Sequence, residues 1–394
     1  MSKKVVLVSG CRTPVGAFLG GLSSVNQIDL AGIVIKEAVA RAGIKPEQVD
    51  EVIVGNVGQI SESGFIARAA MLKAGLPNET TAYSVNRQCG SGLQAIVDGM
   101  LEIQTGNADI VVACGAENMS QVPYYIKGAR EGFKMGHQQL QDGLIDLLTW
   151  PLGPYHNGMT AEAVADKYNV SREEQDTYAL ESHRRVLEAL DAGKFKDEIV
   201  PVEVKQRKET ITIDTDEHPR RGLTMEKLAK LRPAFKKDGG SVTAANSSGI
   251  NDGAAAVVMM TEEKAKELGV KPLMEIVGYA VAGYDDMLMG YTPYFSTKKV
   301  LEKFNMTVED IDITELTEAF ASQAFAVIRD LGLDPAKVNV NGGAVGLGHP
   351  VGATGCILPV RMMYEMKRSG AKVGLVTMCI GGGQGISAIF RNLQ

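Results

Sequence analysis

The order of structural signals in this 394-residue chain occurs twice, and this repetition limits the fold more than any other feature of the sequence. In the first half, "EQVDEVIVGNVGQ" leads, 39 residues after Asp50, to Cys89 in "RQCGSG". In the second half, "EDIDITELTEAFA" leads, 37 residues after Asp312, to His349 in "GHPVGATG". The matching order and spacing predict two duplicated halves in which Cys89 and His349 occupy equivalent positions.

The segments that follow these two residues also match. Amphipathic patterns with a glycine near the end come first, in "LQAIVDGMLEIQTGNA" and "ILPVRMMYEMKRSGA". Buried strand patterns that end in Cys114 and Cys379 come next, in "DIVVACGAE" and "VGLVTMCIGGG". Short β-branched runs alternating with helical patterns are typical of α/β proteins with buried strands. Two such halves packed about a pseudo-twofold axis would bring the helices after Cys89 and His349 together.

Residues 120–249 do not fit the repeat. They contain "TWPLGPYHNG", a charged helical pattern in "SREEQDTYALESHRRVLEALDAGKF", and a basic stretch. The sequence therefore predicts an N-terminal half at 1–119 plus 250–270, an inserted loop domain at 120–249, and a C-terminal half at 271–394.

The net charge of −6 argues against nucleic acid and against an anionic membrane surface as partners. The apolar run near the N-terminus is too short for a signal sequence. No segment approaches the ~18 apolar residues that a membrane span needs. The expected location is the cytoplasm or an equivalent reducing compartment.

The cysteines and histidines do not form metal-binding or disulfide patterns. The five cysteines are widely spaced and include no CxxC pair, so neither a disulfide framework nor a structural zinc site is expected. The five histidines form no HExxH motif, and we expect no metal. GxGxxG after the first strand and GxxxxGK[ST] are both missing from the sequence, which gives no support to a dinucleotide or P-loop site.

Cys89 lies at the predicted N-terminal edge of a helix, where free N–H groups and the helix dipole favour a thiolate and lower the thiol pKa. The stretch alone leaves a nucleophile and a small buried hydrophobe equally plausible. His349 lies among six glycines in "NGGAVGLGHPVGATG", which suggests close approach by a ligand or by backbone. A histidine in reach of a thiol can take its proton, although a structural histidine is the alternative.

Two further segments have the composition of binding sites. Cys379 precedes "IGGGQG", whose glycines leave consecutive N–H groups open for an oxyanion hole; a plain strand-end cysteine is the alternative. The segment "HPRRGLTMEKLAKLRPAFKK" has seven Lys or Arg against one Glu, which suits a phosphorylated small molecule or a solvated helix face. "ANSSGINDGAAA" follows it with hydroxyls and glycines that could bind an extended ligand.

Several motifs together resemble one family. They are "CRTPVGAFLGGL", "VNRQCGSGLQA", "GAENMSQVPY", "LRPAFKKDGGSVTAANSSGINDGAAA", "GGAVGLGHPVGATG" and "CIGGGQGI". In this order, and over nearly the whole chain, they resemble the thiolase family, in particular acetyl-CoA acetyltransferases. The resemblance implies an α/β fold of two βαβαβαββ halves in a five-layered α-β-α-β-α sandwich with an inserted loop domain. It also implies a homo-oligomer, either a dimer or a tetramer.

The resemblance assigns roles to individual residues. Cys89 would carry the acyl group as a thioester, His349 would activate it, and Cys379 would act as the second acid/base. The N–H groups of Cys89 and Gly381 would form an oxyanion hole. The implied reaction is the reversible condensation of two acetyl-CoA into acetoacetyl-CoA and CoA, by a ping-pong mechanism without cofactor or metal.

The resemblance also implies a CoA site across the insertion. Arg220 matches the family position beside the adenine, Ser248 the position that bonds the pantetheine, and His156 a loop histidine near the thioester. Asn157, Met289 and Phe320 are also assigned to substrate binding.

The chain departs from the family pattern in three places. Thr317 in "TEAF" replaces an Asn or His, and the Asn positions a water that forms a second oxyanion hole with His349. Asn157 replaces a common Met. Residues 289–295, "MGYTPYF", replace Met-Gly-x-Gly-Pro and small residues. We expect all three departures near the acyl end of the substrate, where they would change the acyl pocket and keep the activity.

Other functions compete with this interpretation. A 3-ketoacyl-CoA thiolase acting on longer chains in fatty-acid breakdown is closest, and the altered pocket leaves it open. An impaired, thiolase-like scaffold draws support only from Thr317. Cys379 argues against decarboxylating ketoacyl synthases, which use His there, and a thiol hydrolase would need neither a second thiol nor a CoA patch.

Overall fold

The computed structural model describes residues 3–59 and 61–394. In chain order the strands are β1 (Val5–Arg12), β2 (Gly16–Ala17), β3 (Glu51–Gly55), β4 (Thr81–Val85), β5 (Ile110–Asn118), β6 (Tyr124–Tyr125), β7 (Gln141–Asp142), β8 (Thr149–Trp150), β9 (Tyr155–His156), β10 (Val202–Lys205), β11 (Thr210–Ile213), β12 (Asn251–Thr261), β13 (Met274–Gly283), β14 (Ile313–Leu316), β15 (Val373–Ile380) and β16 (Gln384–Asn392). The α-helices are α1 (Gln27–Ala42), α2 (Ile66–Lys73), α3 (Ser91–Thr105), α4 (Gly143–Leu147), α5 (Asn157–Lys167), α6 (Arg172–Asp191), α7 (Met225–Ala229), α8 (Glu262–Leu268), α9 (Thr292–Lys303), α10 (Ala321–Leu331), α11 (Ala344–Leu347) and α12 (Val351–Ser369).

The central sheet confirms the duplication. Its strand order is β14-β15-β16-β13-β1-β12-β5-β3-β4, with β2 added beside β12. The order β1-β12-β5-β3 in one half corresponds to β13-β16-β15-β14 in the other. The innermost neighbours are antiparallel and the outer ones parallel in both halves. A short antiparallel pairing of Val6 and Leu7 with Glu275 and Met274 joins the two half-sheets.

Helices α3 and α12, which follow Cys89 and His349, form the middle layer. At two glycines the helices contact each other directly through their backbones, with no side chain between them. A Cβ on Gly92 would lie 2.7 Å from the Cys356 nitrogen, and one on Gly355 would lie 2.1 Å from the Leu93 nitrogen. The first turns of the two helices are therefore neighbours, as the predicted pseudo-twofold packing requires.

Alternation along the strands builds the remaining layers. In β12, Val257 and Met259 belong to the buried cluster with α3 and α12, whereas Val258 and Met260 belong to the cluster with α1 and α2. The C-terminal half packs α9 against β13 and β16 on its outer face. The result is the predicted five-layered α-β-α-β-α order.

The C-terminal ends of two strands differ from the prediction. Strand β5 continues four residues beyond Cys114 to Asn118, and β15 continues one residue beyond Cys379 to Ile380. Neither cysteine ends its strand, because antiparallel pairing with β12 and β16 extends the ladder past it.

The predicted insertion lies between β5 and β12. Its charged pattern forms α6, which Ser171 and Glu174 begin with a capping box. A buried ion-pair cluster connects the insertion to β1, because Arg12 bonds Glu198 at 2.8 Å and Asp216 at 2.7 Å. Among the described residues, no helix has the length and apolar composition to cross a membrane.

Candidate active site

Cys89 sits in a tight turn just before α3. Gln88 adopts a left-handed backbone at φ 47°, and Gly90 caps the helix. The backbone N–H groups of Gly381 and of Cys89 itself point at the sulfur and lower its pKa. Burial outweighs them and raises the pKa of the Cys89 thiol to about 11. The predicted lowering by backbone N–H groups is thus present, but burial is the larger effect and the net pKa is raised.

His349 occupies the equivalent position before α12. Its Nδ1 lies 2.7 Å from the Thr354 hydroxyl, and its backbone N–H donates to Asn251 at 2.9 Å. Its buried Nε2 has no hydrogen-bond partner within the described part of the chain. Burial lowers the pKa of His349 to about 4, so the imidazole is neutral near pH 7. A neutral ring with an unpartnered nitrogen can accept a proton.

Cys379 approaches from the other face of its sheet. It is fully buried and packs with Met289, Ala319 and Phe320. Burial, and secondly the nearby charge of Cys89, raise the pKa of the Cys379 thiol. The two thiols are therefore close enough to influence each other although they lie on different elements.

The turn after Cys379 is made of glycines for conformational reasons. Gly382 and Gly383 adopt left-handed backbones at φ 81° and 75°, which side chains rarely tolerate. The turn aims the Gly381 N–H at the sulfur of Cys89. The two N–H groups predicted for an oxyanion hole thus converge on one point.

A cavity of about 520 Å³ opens in front of Cys89. Eight of the predicted site residues line it: Cys89, His156, Asn157, Arg220, Ser248, Met289, Phe320 and His349. Cys379, Thr317 and Gly381 do not line it. Cys379 lies behind the wall that Met289, Ala319 and Phe320 form.

Aromatic residues narrow the cavity. His156 stacks on Phe235 with ring centroids 4.9 Å apart, and Phe235 meets the edge of Phe320 at 6.2 Å. The His156 Nδ1 accepts the Gly158 N–H at 3.0 Å. Burial lowers the pKa of His156, which favours the neutral ring.

The basic segment contributes one arginine to the cavity. Arg221 and Lys236 pair with Asp191 and Asp166 at the surface. Arg220 is exposed at the cavity, and none of the carboxylates described lies within 4 Å of its guanidinium. It is thus available to an anionic ligand, and of the seven basic residues in the segment only Arg221 and Lys236 form ion pairs among the described residues.

Comparison with known proteins identifies the fold. The thiolase N-terminal domain family matches residues 5–263, and the thiolase C-terminal domain family matches residues 270–392. The chain belongs to the thiolase family.

Relatives of this thiolase match it from end to end. Acetyl-CoA acetyltransferase of Syntrophomonas wolfei is 49% identical, with 100% of both chains covered. Beta-ketothiolase BktB of Cupriavidus necator is 48% identical, again over 100% of both. The crystal structure of the Bacillus anthracis acetyl-CoA acetyltransferase superposes with a TM-score of 0.98 at 46% identity, covering 100% and 99% of the chains. Human mitochondrial 3-ketoacyl-CoA thiolase gives 0.96 at 44%, covering 99% of each.

The three departures of this thiolase from the family pattern lie in different places. Asn157 lines the cavity, as expected. Thr317 is fully buried outside the lining; its N–H bonds the Thr377 carbonyl at 3.0 Å, and its hydroxyl has no partner among the described residues. The expectation that Thr317 lies near the acyl end of the substrate stays a prediction, because Thr317 does not line the cavity but Ala319, two residues later, does.

Residues 290–295 do not line the cavity either, and their expected position near the acyl end also stays a prediction. Tyr291 stacks on Tyr168 at 3.8 Å and on Tyr294 at 5.0 Å, and Phe295 packs on Tyr284 at 4.4 Å. Large aromatic side chains here fill a cluster between α9 and the end of α5. Met289 alone of this motif reaches the cavity.

Sequence reasoning missed His218 and Phe235, which both line the cavity. The ring of His218 lies 6.0 Å from that of His183, and burial lowers the pKa of His218 to about 4. His218 and Phe235 lie near the two ends of the basic segment, and this position among the basic residues is the sequence signal for them.

Proposed function

We propose that this thiolase catalyses the reversible condensation of two acetyl-CoA into acetoacetyl-CoA and CoA. The observation that carries the proposal is the convergence of Cys89 and His349 on one cavity, with Cys379 directly behind its wall. Full-length similarity to acetyl-CoA acetyltransferases supports it.

The first half-reaction is acyl transfer to Cys89. The Nε2 of neutral His349 takes the thiol proton, and the sulfur attacks the acetyl-CoA carbonyl. The N–H groups of Cys89 and Gly381, which both point at the Cys89 sulfur, would then stabilise the tetrahedral oxygen. The CoA thiolate leaves and takes a proton from the Cys379 thiol, so the enzyme holds an acetyl thioester on Cys89, a protonated His349 and a Cys379 thiolate.

The second half-reaction forms the carbon–carbon bond. The thiolate of Cys379 removes a proton from the methyl group of a second acetyl-CoA, and the resulting enolate attacks the acetyl group on Cys89. The intermediate expels the Cys89 thiolate, which receives the proton from His349, and acetoacetyl-CoA leaves while Cys379 keeps the methyl proton as a thiol. Burial keeps the pKa of Cys379 high, which makes its thiolate a base strong enough for this α-proton.

CoA would lie along the cavity, which residues of the insertion help to line. Arg220, free of carboxylates in the described structure, faces the anionic end of the ligand, and Ser248 and His156 line the path to Cys89. Both substrates are thioesters that already carry the activated acyl group, so the mechanism uses neither cofactor nor metal.

The direct test is trapping of the acetyl-enzyme. Wild type incubated with acetyl-CoA should carry one acetyl group on the Cys89 peptide by mass spectrometry, and Cys89→Ser should lose thiolysis by 10³-fold or more. Cys114→Ala, at the buried repeat counterpart of Cys379, is the matched control and should remain active. No activity with any 3-ketoacyl-CoA would refute the proposal and favour a scaffold.

A second candidate is thiolysis of longer 3-ketoacyl-CoAs. Similarity to human mitochondrial 3-ketoacyl-CoA thiolase and to a beta-ketothiolase favours it, as does Asn157 in the cavity wall. Thiolysis rates for acetoacetyl-CoA beside six- and eight-carbon substrates separate the two. Activity with acetoacetyl-CoA alone would eliminate the longer-chain candidate.

We also infer a cytoplasmic homo-oligomer, a dimer or a tetramer. The support is a set of exposed apolar side chains within 120–152, among them Tyr124, Phe133, Met135 and Leu140. Light scattering coupled to size exclusion would give the mass, and a monomer would contradict the inference.

A further inference from the structure

Glu117 is a fully buried carboxylate that both halves of the molecule bind. It accepts the N–H of Val57 at 3.0 Å and of Gly58 at 2.9 Å, from the loop after β3. It accepts the N–H of Gly352 at 3.0 Å, from the first turn of α12. The Asn56 amide donates at 3.2 Å. One side chain thus bonds the loop of one half to the helix of the other.

The surrounding backbone leaves room only for this carboxylate. A Cβ on Gly58 would lie 2.8 Å from its Oε1, and one on Gly352 would lie 2.5 Å from its Oε2. Every contacting group is a donor, so the site fits the ionised form.

These contacts adjoin the reacting groups. Val57 and Val351 pack with Cys89 in one buried cluster. Gly352 follows His349 by three residues, so a shift of the α12 terminus moves the imidazole. Glu117 therefore lies where a displacement would change the geometry between Cys89 and His349.

The duplication shows that this carboxylate is specific to one half. Because Cys114 corresponds to Cys379, Glu117 corresponds to Gly382, which has no side chain. The Gly352 N–H at α12 thus has a side-chain acceptor that the other half does not supply from the equivalent position.

We propose that Glu117 is a positioning residue for acyl transfer, which fixes the start of α12 and hence His349 beside Cys89. This role rests on the proposed thiolase reaction. Cys89 then loses its proton only when His349 is placed to take it.

The charge of Glu117 also acts on the nucleophile. The charge of Glu117 contributes to the raised pKa of Cys89, after burial. Burial, with Asp252 on the adjacent strand as a minor cause, raises the pKa of Glu117 to about 7. Asp252 is the other carboxylate that faces this site, and Ser120 binds it.

The test compares Glu117→Gln with wild type. The pH profile of iodoacetamide alkylation at Cys89, followed by peptide mass spectrometry, should move to lower pH. The kcat of acetoacetyl-CoA thiolysis should fall about 10- to 100-fold with KM little changed, because the reacting groups are misplaced. Glu315→Gln is the matched control: it removes another fully buried carboxylate, beside Arg361, and should leave the alkylation profile unchanged.

An unchanged profile together with wild-type kcat in Glu117→Gln would overturn the proposal. If that variant does not fold, Glu117→Asp keeps the charge with a shorter reach; it should show a lower kcat and the wild-type profile. Wild-type kcat in Glu117→Asp would also overturn it. Alkylation needs no CoA substrate, so a wild type without thiolysis would refute the proposed function separately.

Discussion

Burial sets the protonation of Cys89 and His349 in the resting thiolase. It raises the pKa of the thiol to about 11 and lowers that of the imidazole to about 4, so the proton stays on sulfur and both groups are neutral. An uncharged pair avoids the desolvation cost that a thiolate and an imidazolium would carry in this site. Substrate must then shift the balance, through the oxyanion donors and the reaction itself.

The depressed pKa of His349 predicts a loss of stability in acid. The imidazole titrates near 6.5 in the unfolded chain and at about 4 in the folded one, so its contribution is complete above 6.5 and disappears as the pH falls toward 4. Between pH 7 and pH 4, the unfolding free energy of His349→Asn should therefore fall by about 3 kcal/mol less than that of wild type. Urea unfolding at both pH values measures this.

The control is His137→Asn, which changes an exposed loop histidine and should follow wild type. Equal acid losses in wild type and His349→Asn would show that the ring is not buried as described.

Thr317 has a buried hydroxyl without a partner among the described residues, close to the strand that bears Cys379. Thr317→Asn should raise the condensation kcat about tenfold, since an amide reaches further as an oxyanion donor. Thr317→Val, which keeps the shape and removes the hydroxyl, should lower it. Steady-state condensation assays measure both, and wild-type kinetics in both variants would exclude a role for this position.

At the level of elements, α3 and α12 determine the active site because they set the separation of the two loops before them. Their contact is backbone to backbone at Gly92 and Gly355. Close packing of this kind cannot absorb an added carbon by rotating a side chain.

Gly92→Ala should therefore destabilise the fold by roughly 1–3 kcal/mol and reduce turnover, since its Cβ would lie 2.7 Å from the Cys356 nitrogen. Thermal unfolding and thiolysis rates measure the two effects. Gly64→Ala is the control, because nothing lies within 4 Å of a Cβ there. Equal melting temperatures for the two variants would contradict the described helix contact.

At the level of the whole molecule, a buried ion-pair cluster connects β1 to the insertion. Arg12 is fully buried, bonds Glu198 and Asp216, and lies over the Phe195 ring at 5.2 Å. Asp216 precedes Arg220 by four residues, so this cluster also anchors the segment that lines the cavity.

Arg12→Met should cost about 3–5 kcal/mol, because it removes the guanidinium that pairs with two buried carboxylates. Arg221→Met breaks a pair with Asp191 at the surface and should cost at most about 1 kcal/mol. Urea unfolding at a fixed protein concentration compares them. A similar cost for both would mean that the Arg12 cluster is solvated.

Much of the fold could be predicted from sequence because the duplication repeats the same short-range patterns in both halves. The spacing of Cys89 and His349 from matching upstream signals, and the glycines that close α3 and α12, are short-range patterns. Most of the predicted site residues also line one cavity, because they were predicted from the order of the motifs along the chain. The hydrogen bonds of Glu117 could not be predicted, because Gly352 is 235 residues away in the chain.

Sequence patterns alone predicted the duplicated architecture, the family and most of the residues that line the candidate site. The surroundings of individual residues follow from the tertiary structure alone. Burial outweighs the helix terminus at Cys89, the aromatic residues of 290–295 pack away from the cavity, and Thr317 is enclosed. The physical reason is that motifs and caps depend on neighbours along the chain. Desolvation and packing depend on every element that folds over a residue.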